Sequence, residues 1–400
     1  MEIDSKVREL EVRHLATGTK GGAGLAALRA HECLESIGIA SHFVSPSRSL
    51  RTVGVQSGSL SRIVGSQFTT VGQRLLLQRG TGLMTPISFD FLKDLPLSSA
   101  INHVHAFYNL LSVQSLISLA RSGRLVMTMH DQRLITGGCH YSRSCQKYLS
   151  KCEACPQARR YAAEIVKRSK RDINKLLSTD SLRIICPSNW IANMVVEVEP
   201  QISSRVYVVK NPIPTPRERF DRESVRSSLG IGQSERIIGY VSTNLSNPLK
   251  GGTVLAKAIS LMTKSLRDQS RVLLVGSGKF EHNLDDKRVM MVRTDNTFTV
   301  EDYLLAMDVL VVPSVEDNLP NVIGESLMVG TPVIGSDVGG IPEVLNDFDM
   351  PVFTRASAYE LSEILCKWPS STNRQEVKKR ANSTFSYKVV AEQLLRIYRS

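Results

Sequence analysis

Two carboxylates eight positions apart, Asp317 and Glu325, stand in the stretch 313–343, PSVEDNLPNVIGESLMVGTPVIGSDVGGIPE, with Glu316 just ahead of the first. The residues around them spell strand, loop and helix. Val309 to Val312 is a short β-branched run that suits a buried strand. Turn residues follow, and then Leu319, Val322, Ile323, Leu327 and Met328 pattern one face of a helix. Pro320 opens that helix near its first position and Gly330 ends it. Pro332 to Ile334 begin another buried strand. On this frame Asp317 hangs in the loop mouth and Glu325 projects two turns into the helix. Backbone N–H groups at a helix start suit phosphate, so the stretch reads as an anion site flanked by carboxylates.

A second set of chemically capable residues lies in the first half. RLVMTMHD reads as a strand that delivers His130 and Asp131 at its C-terminal end, where open α/β sheets bind ligands. His103, His105 and His140 are weaker candidates nearby. Gly18, Gly21, Gly22 and Gly24 form a turn after a strand at 10–16 and before a helix marked by Leu25, Leu28 and Leu34. Such a turn lets backbone approach a ligand and aims N–H groups at phosphate, although tight βα turns use glycine anyway. Cys139, Cys145, Cys152 and Cys155 have the spacing C-x5-C-x6-C-x2-C. Structural zinc on four thiolates, reduced core thiols and a labile disulfide are the three readings of that cluster. Nothing in it suggests a catalytic metal.

The pattern acidic-x7-acidic followed by GTPVIGSDVGGIPE resembles the signature of group 1 glycosyltransferases, retaining enzymes with the two-domain GT-B fold. The context HD-x4-TGGCHY (His130, Asp131, Thr136 to Tyr141) resembles a subset acting in polysaccharide assembly. The resemblance implies that Asp317, or Glu316 beside it, contacts the donor sugar and that Glu325 hydrogen-bonds the nucleotide ribose. It implies that His130 contacts the sugar or its β-phosphate from across a cleft. The loop with Gly21 and Gly22 then faces the donor diphosphate and the acceptor. Lys250 is expected at a helix start after a strand, where a cation neutralises charge building on the diphosphate leaving group. The N–H groups of Asn318, Leu319, Pro320 and Asn321 are expected to share that task. Two departures stand out. The first acidic position is usually Glu, and the family usually supplies an Arg after the strand, where Ser242, Thr243 and Asn244 stand here.

The elements that must position these residues alternate strand and helix. In the second half, strand 236–242 precedes helix 250–263, strands 271–275 and 288–293, helix 300–307 and strand 309–313. Such alternation argues for α/β architecture with a doubly wound parallel sheet, and the GT-B resemblance implies two Rossmann-like domains with a cleft between them. Pro212, Pro214 and Pro216 mark a stiff connection, so the boundary falls near 213. The resemblance implies that residues 1–212 are the acceptor-side domain and 213–384 the nucleotide-sugar-binding domain, with the amphipathic helix at 385–400 packing back on the first. Residues 46–95, rich in Ser, Gly and Arg, read as a variable acceptor-side region with short helices. RTDNTFTVEDY lies where such transferases hold the nucleobase.

Four hundred residues, 42% hydrophobic and 22% charged, suit two ordinary globular domains. No run of 18 apolar residues and no apolar leader segment appear, and seven cysteines do not make a disulfide framework. The expected location is cytoplasmic, peripheral on the inner face of a membrane. The net charge of +12 attracts anionic partners. Residues 159–175 carry seven Lys or Arg against two acids, with Ala162, Ile165, Ile173 and Leu176 as a packing face. Either a solvated helix face or a surface for anionic lipid headgroups fits. The chain lacks a series of stacking aromatics in its basic stretch, which sets nucleic acid aside.

The expected partners are therefore a nucleotide diphosphate sugar, with no other cofactor required, and a glycan or lipid-linked acceptor. The rivals are a sugar-nucleotide epimerase or phosphorylase on the same fold, a basic nucleic-acid or glycan-binding protein, and a binding-only relative that lacks the Arg.

Overall fold

The computed structural model describes residues 10–45, 90, 100–108, 110–123, 125–217, 219–232, 234–280, 288–292, 298–368 and 372–400. The expected acceptor-side region at 46–95, apart from residue 90, and positions 293–297 of the expected nucleobase segment lie outside them. The chain divides into two compact units, Met1–Pro212 with Tyr387–Ser400, and Ile213–Ser386.

The first unit holds six parallel strands: β1 (Glu11–Leu15), β2 (Ala40–Val44), β3 (Ile101–Val104), β4 (Leu125–Thr128), β5 (Arg183–Cys186) and β6 (Val206–Val208). Their order is β2-β1-β3-β4-β5-β6. The second holds β7 (Arg236–Asn244), β8 (Ser270–Ser277), β9 (Val289–Val292), β10 (Val309–Val312), β11 (Val333–Ser336) and β12 (Val352–Phe353), in the order β12-β11-β10-β7-β8-β9. The central strands β3, β4, β10 and β11 are buried at every position, as parallel strands covered on both faces must be. Strand order reverses between β1 and β3 in one sheet and between β7 and β10 in the other. Crevices beyond the carboxyl ends of strands at such points are where open α/β sheets take ligands. Among the described residues no helix is long and apolar enough to cross a membrane.

Local chemistry sets the element ends. Ser112 and Ser188 each cap a helix, accepting the N–H of Ser115 and Ile191. The basic helix starts at Ala163, after a 3-10 turn at Arg160–Ala162. Lys170 is a correction to its solvated face: it is 1% exposed and donates to Ile135 O at 2.8 Å. The helix expected over 250–263 is also corrected. Lys250 sits in a 3-10 turn, Pro248–Lys250, and the helix runs Gly252–Leu261 after Gly251 reverses the chain at φ +74°.

The helix Tyr387–Arg399 belongs to the first unit. It buries Val390, Ala391, Leu394 and Ile397 in a cluster with Val12, Leu34 and Ile101. Polar contacts fix its ends. Tyr387 donates to Glu32 at 2.6 Å, and Tyr398 OH lies 2.6 Å from His103 Nδ1. The other His103 nitrogen meets Thr128 Oγ1 at 2.6 Å. Burial, with His130 nearby, pushes the His103 pKa down to about 3. Burial, then His103 and His31, holds His14 well below the ordinary histidine range.

Leu394 is 3% exposed, so Leu394→Ala should destabilise the first unit by about 2–5 kcal/mol. The expected result is an earlier transition for that unit in denaturant, with the transition of Ile213–Ser386 unmoved. The buried histidines add a pH dependence. Above about pH 6.5 they are neutral in both folded and unfolded chains and contribute nothing. As pH falls below that, the unfolded chain takes up protons that the folded one refuses. Stability is then lost at about 1.4 kcal/mol per pH unit for each such group, down towards pH 3 for His103. A thermal transition of the first unit that stays flat between pH 6.5 and 4.5 would contradict their burial as neutral rings.

Candidate active site

In the second unit the loop after β7 and the loop after β10 touch. Val315 N donates to Leu249 O at 2.8 Å. A Cβ on Gly251 would lie 1.7 Å from Pro313 O, so only glycine permits the approach. The contact carries Lys250 to Asp317, with Nζ 2.5 Å from Oδ2. Ser314 Oγ donates to the same oxygen at 3.2 Å, and Asn318 N donates to Oδ1 at 3.1 Å. The Asp317 side chain is 7% exposed and that of Lys250 33%. Asp317 is thus a buried, ion-paired group rather than one hanging in an open loop mouth.

The motif residues downstream hold this loop. Ser336 Oγ donates to Ser314 O at 2.6 Å, and Gly340 N donates to Asn318 O at 2.7 Å. Gly339, at φ +59°, leaves room that a Cβ would close to 2.1 Å from Asp317 O. Glu325 follows on the helix Asn321–Met328 and is 7% exposed, whereas Glu316, Leu319, Pro320 and Asn321 are half-buried. Pro320 is the N-cap of that helix rather than its first residue. The expected row of four phosphate-binding N–H groups is narrower than the spacing implies. Pro320 has no N–H, and that of Asn318 goes to the Asp317 carboxylate.

In the first unit His130 follows β4 and lies half-buried at a small recess with His105, Tyr108, Asp131 and Arg133. Burial outweighs the pull of Asp131 and brings the His130 pKa down to about 4, so the ring is neutral at pH 7. Its Nε2 lies 3.2 Å from His105 Nδ1, and His105 Nε2 lies 2.9 Å from His14 Nδ1. Asp131 accepts Arg133 N at 2.9 Å through one oxygen and the Arg133 guanidinium through the other. The guanidinium stacks 3.8 Å from the centre of the Tyr108 ring. Tyr108 in turn lies beside Thr17, at the glycine turn where Gly21 and Gly22 are exposed and a Cβ on either would meet open space. Sequence reasoning did not single out His14, Tyr108 or Arg133. Arg133 stood inside the HD-x4-TGGCHY context, two residues after Asp131, and that spacing was the available signal.

His14, His103 and His105 each place a nitrogen within 4.8 Å of the others, a separation that suits a metal. Hydrogen bonds already account for the trio, because hydroxyls occupy both nitrogens of His103 and the other two rings bond each other. The zinc reading of the cysteines is not supported. Cys139 hydrogen-bonds Cys155, all four thiols are free, and their sulfurs do not gather into a ligand set. That hydrogen bond draws the Cys155 pKa down to about 6.

Residues 235–366 match the family model of the glycosyl transferases group 1. TuaC of Bacillus subtilis (strain 168), named as a teichuronic acid biosynthesis glycosyltransferase, is 31% identical over 147 residues. The match covers 37% of this chain and 36% of TuaC, so the chain spans about a third of that relative. WcaC of Escherichia coli (strain K12), named as a colanic acid biosynthesis glycosyl transferase, is 22% identical over 95% of this chain and 97% of its own. The structure of HepE from Anabaena, in complex with UDP and glucose, superposes with a TM-score of 0.61 at 16% identity. That superposition covers 98% of this chain and 100% of HepE. The fold is GT-B, and its segment 235–366 matches the group 1 glycosyl transferases.

Proposed function

We propose that the chain is a retaining glycosyltransferase that moves a hexosyl group from a nucleotide diphosphate sugar to a glycan or lipid-linked acceptor in cell-surface polysaccharide biosynthesis. The observation that carries this reading is the Lys250–Asp317 pair at the β7/β10 switch point, with the buried Glu325 on the helix that follows Asp317. Lys250 is the cation that offsets diphosphate charge as the bond from the sugar to the leaving phosphate breaks. The N–H groups of Leu319 and Asn321 add to it. When the diphosphate draws Lys250 away, Asp317 is released to accept sugar hydroxyls, with Glu316 beside it. Glu325 takes the ribose.

His130 is assigned to the sugar or its β-phosphate, and the exposed Gly21–Gly22 turn to diphosphate and acceptor. Attack comes from the face that the leaving group departs, and the leaving phosphate helps remove the acceptor proton. Positioning and charge stabilisation carry the rate, with no protein nucleophile. The names of TuaC and WcaC support polysaccharide assembly, and the UDP bound to HepE supports a nucleotide donor. The exposed Arg159, Arg160, Arg168 and Arg171, with Tyr161 64% exposed among them, suit an anionic membrane surface on the cytoplasmic side.

Thermal stabilisation by a panel of nucleotides and nucleotide sugars tests the donor site, since a ligand that binds only the folded chain raises its transition. One base family should stabilise the protein, and Glu325→Ala should lose both that shift and transfer while staying folded. Lys250→Ala should lower kcat/KM by about 10²–10³-fold. A folded Lys250→Ala variant with wild-type turnover would overturn the assignment.

A further inference from the structure

A cavity of about 360 Å³ opens in the second unit, away from the Lys250–Asp317 pair. Its base is a cross-strand row, because Ile238 pairs with Val272 and Val272 with Val289 in the parallel register of β7, β8 and β9. Side chains in register on neighbouring strands share a face of the sheet, so the three make one apolar strip. Ile259 and Met262, at the end of the helix Gly252–Leu261, close over it. The site lies towards the amino ends of the strands. Along β7, positions 238 and 244 are about 20 Å apart in extended chain, and Lys250 lies beyond the second of them. The volume falls within the range of about 300–1,000 Å³ found for small-molecule pockets.

The mouth of the cavity is cationic. Lys264 is exposed there, and Arg267 and Arg288 are half-buried. Asp268 is the one carboxylate among the described lining residues, and Arg288 Nη2 holds it at 2.7 Å. Arg288 also donates to Arg267 O. Arg267 Nη1 donates at 3.2 Å to Ser260 O, in the last turn of the helix. The lining hydroxyls already have acceptors, since Ser260 Oγ donates to Lys257 O and Ser270 Oγ to Leu266 O, each at 2.7 Å. Positive charge is therefore what the mouth offers a ligand. The partial negative charge at the helix C-terminus offsets some of it, and water screens the exposed Lys264. One negative charge, rather than two, balances what remains.

We propose that this cavity binds a medium-chain aliphatic carboxylate, its chain along the strip of Ile238, Val272 and Val289 and its head at Lys264 and Arg267. The chain gains by leaving water for an apolar recess, and the cations at the mouth fix which end stays outside. The site is separate from the donor site and stands whether or not Lys250 serves a diphosphate.

The test is calorimetric titration of the full chain at pH 7.5 with hexanoate, heptanoate and octanoate, and with octanol and octyl phosphate. One carboxylate should bind per chain, about fourfold tighter for each added methylene. Octanol should bind about tenfold more weakly than octanoate, and the exposed substitution Lys264→Glu should weaken octanoate by about the same factor. In protein labelled with ¹³C-methyl methionine, the Met262 signal, assigned through Met262→Leu, should shift on titration. A saturating nucleoside diphosphate should leave octanoate binding unchanged. Absence of binding, an affinity flat with chain length, or octanol or octyl phosphate binding as tightly as octanoate would overturn the proposal. So would wild-type affinity in folded Lys264→Glu, an unmoved Met262 signal, or displacement of octanoate by the nucleoside diphosphate. Failure of the donor-site reading looks different: the nucleotides would then give no thermal stabilisation while octanoate still bound and shifted Met262.

Discussion

A carboxylate taken out of water needs a partner, and in the second unit that need ties two loops together. Asp317 is almost fully buried, and leaving such a charge unpaired costs about 3–5 kcal/mol. Its cation comes from another strand, so the segment after β7 must press against the segment after β10. That approach leaves no space for a side chain at position 251. Gly339 and Gly340 bring the β11 loop against the backbone carbonyls of Asp317 and Asn318, and Ser336 holds the carbonyl of Ser314. The ion pair compensates the buried charge, and the glycines and the serine hold the backbone of the loop that carries it.

The first unit solves a comparable problem with less charge. Asp131 and Arg133 neutralise each other beside His130, and the guanidinium plane rests on Tyr108. The histidines between the strands are kept neutral by burial. What this end of the sheet displays is a set of oriented polar groups with little net charge. The Lys250 side chain, by contrast, stays a third exposed.

Much of this architecture was legible because parallel strands are written as uninterrupted apolar runs. Val309–Val312 and Leu125–Thr128 could be read directly, as could the helix that Gly330 terminates at φ +80°. The Asp317–Glu325 spacing likewise marked the loop and helix that carry them. The burial of Asp317 was not legible, since it depends on Lys250, 67 positions away, and on backbone from β11. Tyr108 and Arg133 meet across 25 positions, and His14 alone looks like any polar residue in a strand. Pro320 is a different case: its lack of an N–H was visible in the sequence, and only the packing of the loop shows how much that narrows the row of donors.

The docking of Tyr387–Arg399 has a consequence for the order in which the molecule is made. The hydrophobic cluster under β1 and β3 takes Val390, Leu394 and Ile397 from a segment that leaves the ribosome after all of Ile213–Ser386. At roughly 5–20 residues per second, that interval is on the order of ten seconds or more. Throughout it, Val12, Leu34 and Ile101 lack their covering helix and His103 lacks the Tyr398 hydroxyl. The half synthesised first is the half finished last, and a nascent chain must shelter that open apolar face while the second unit emerges.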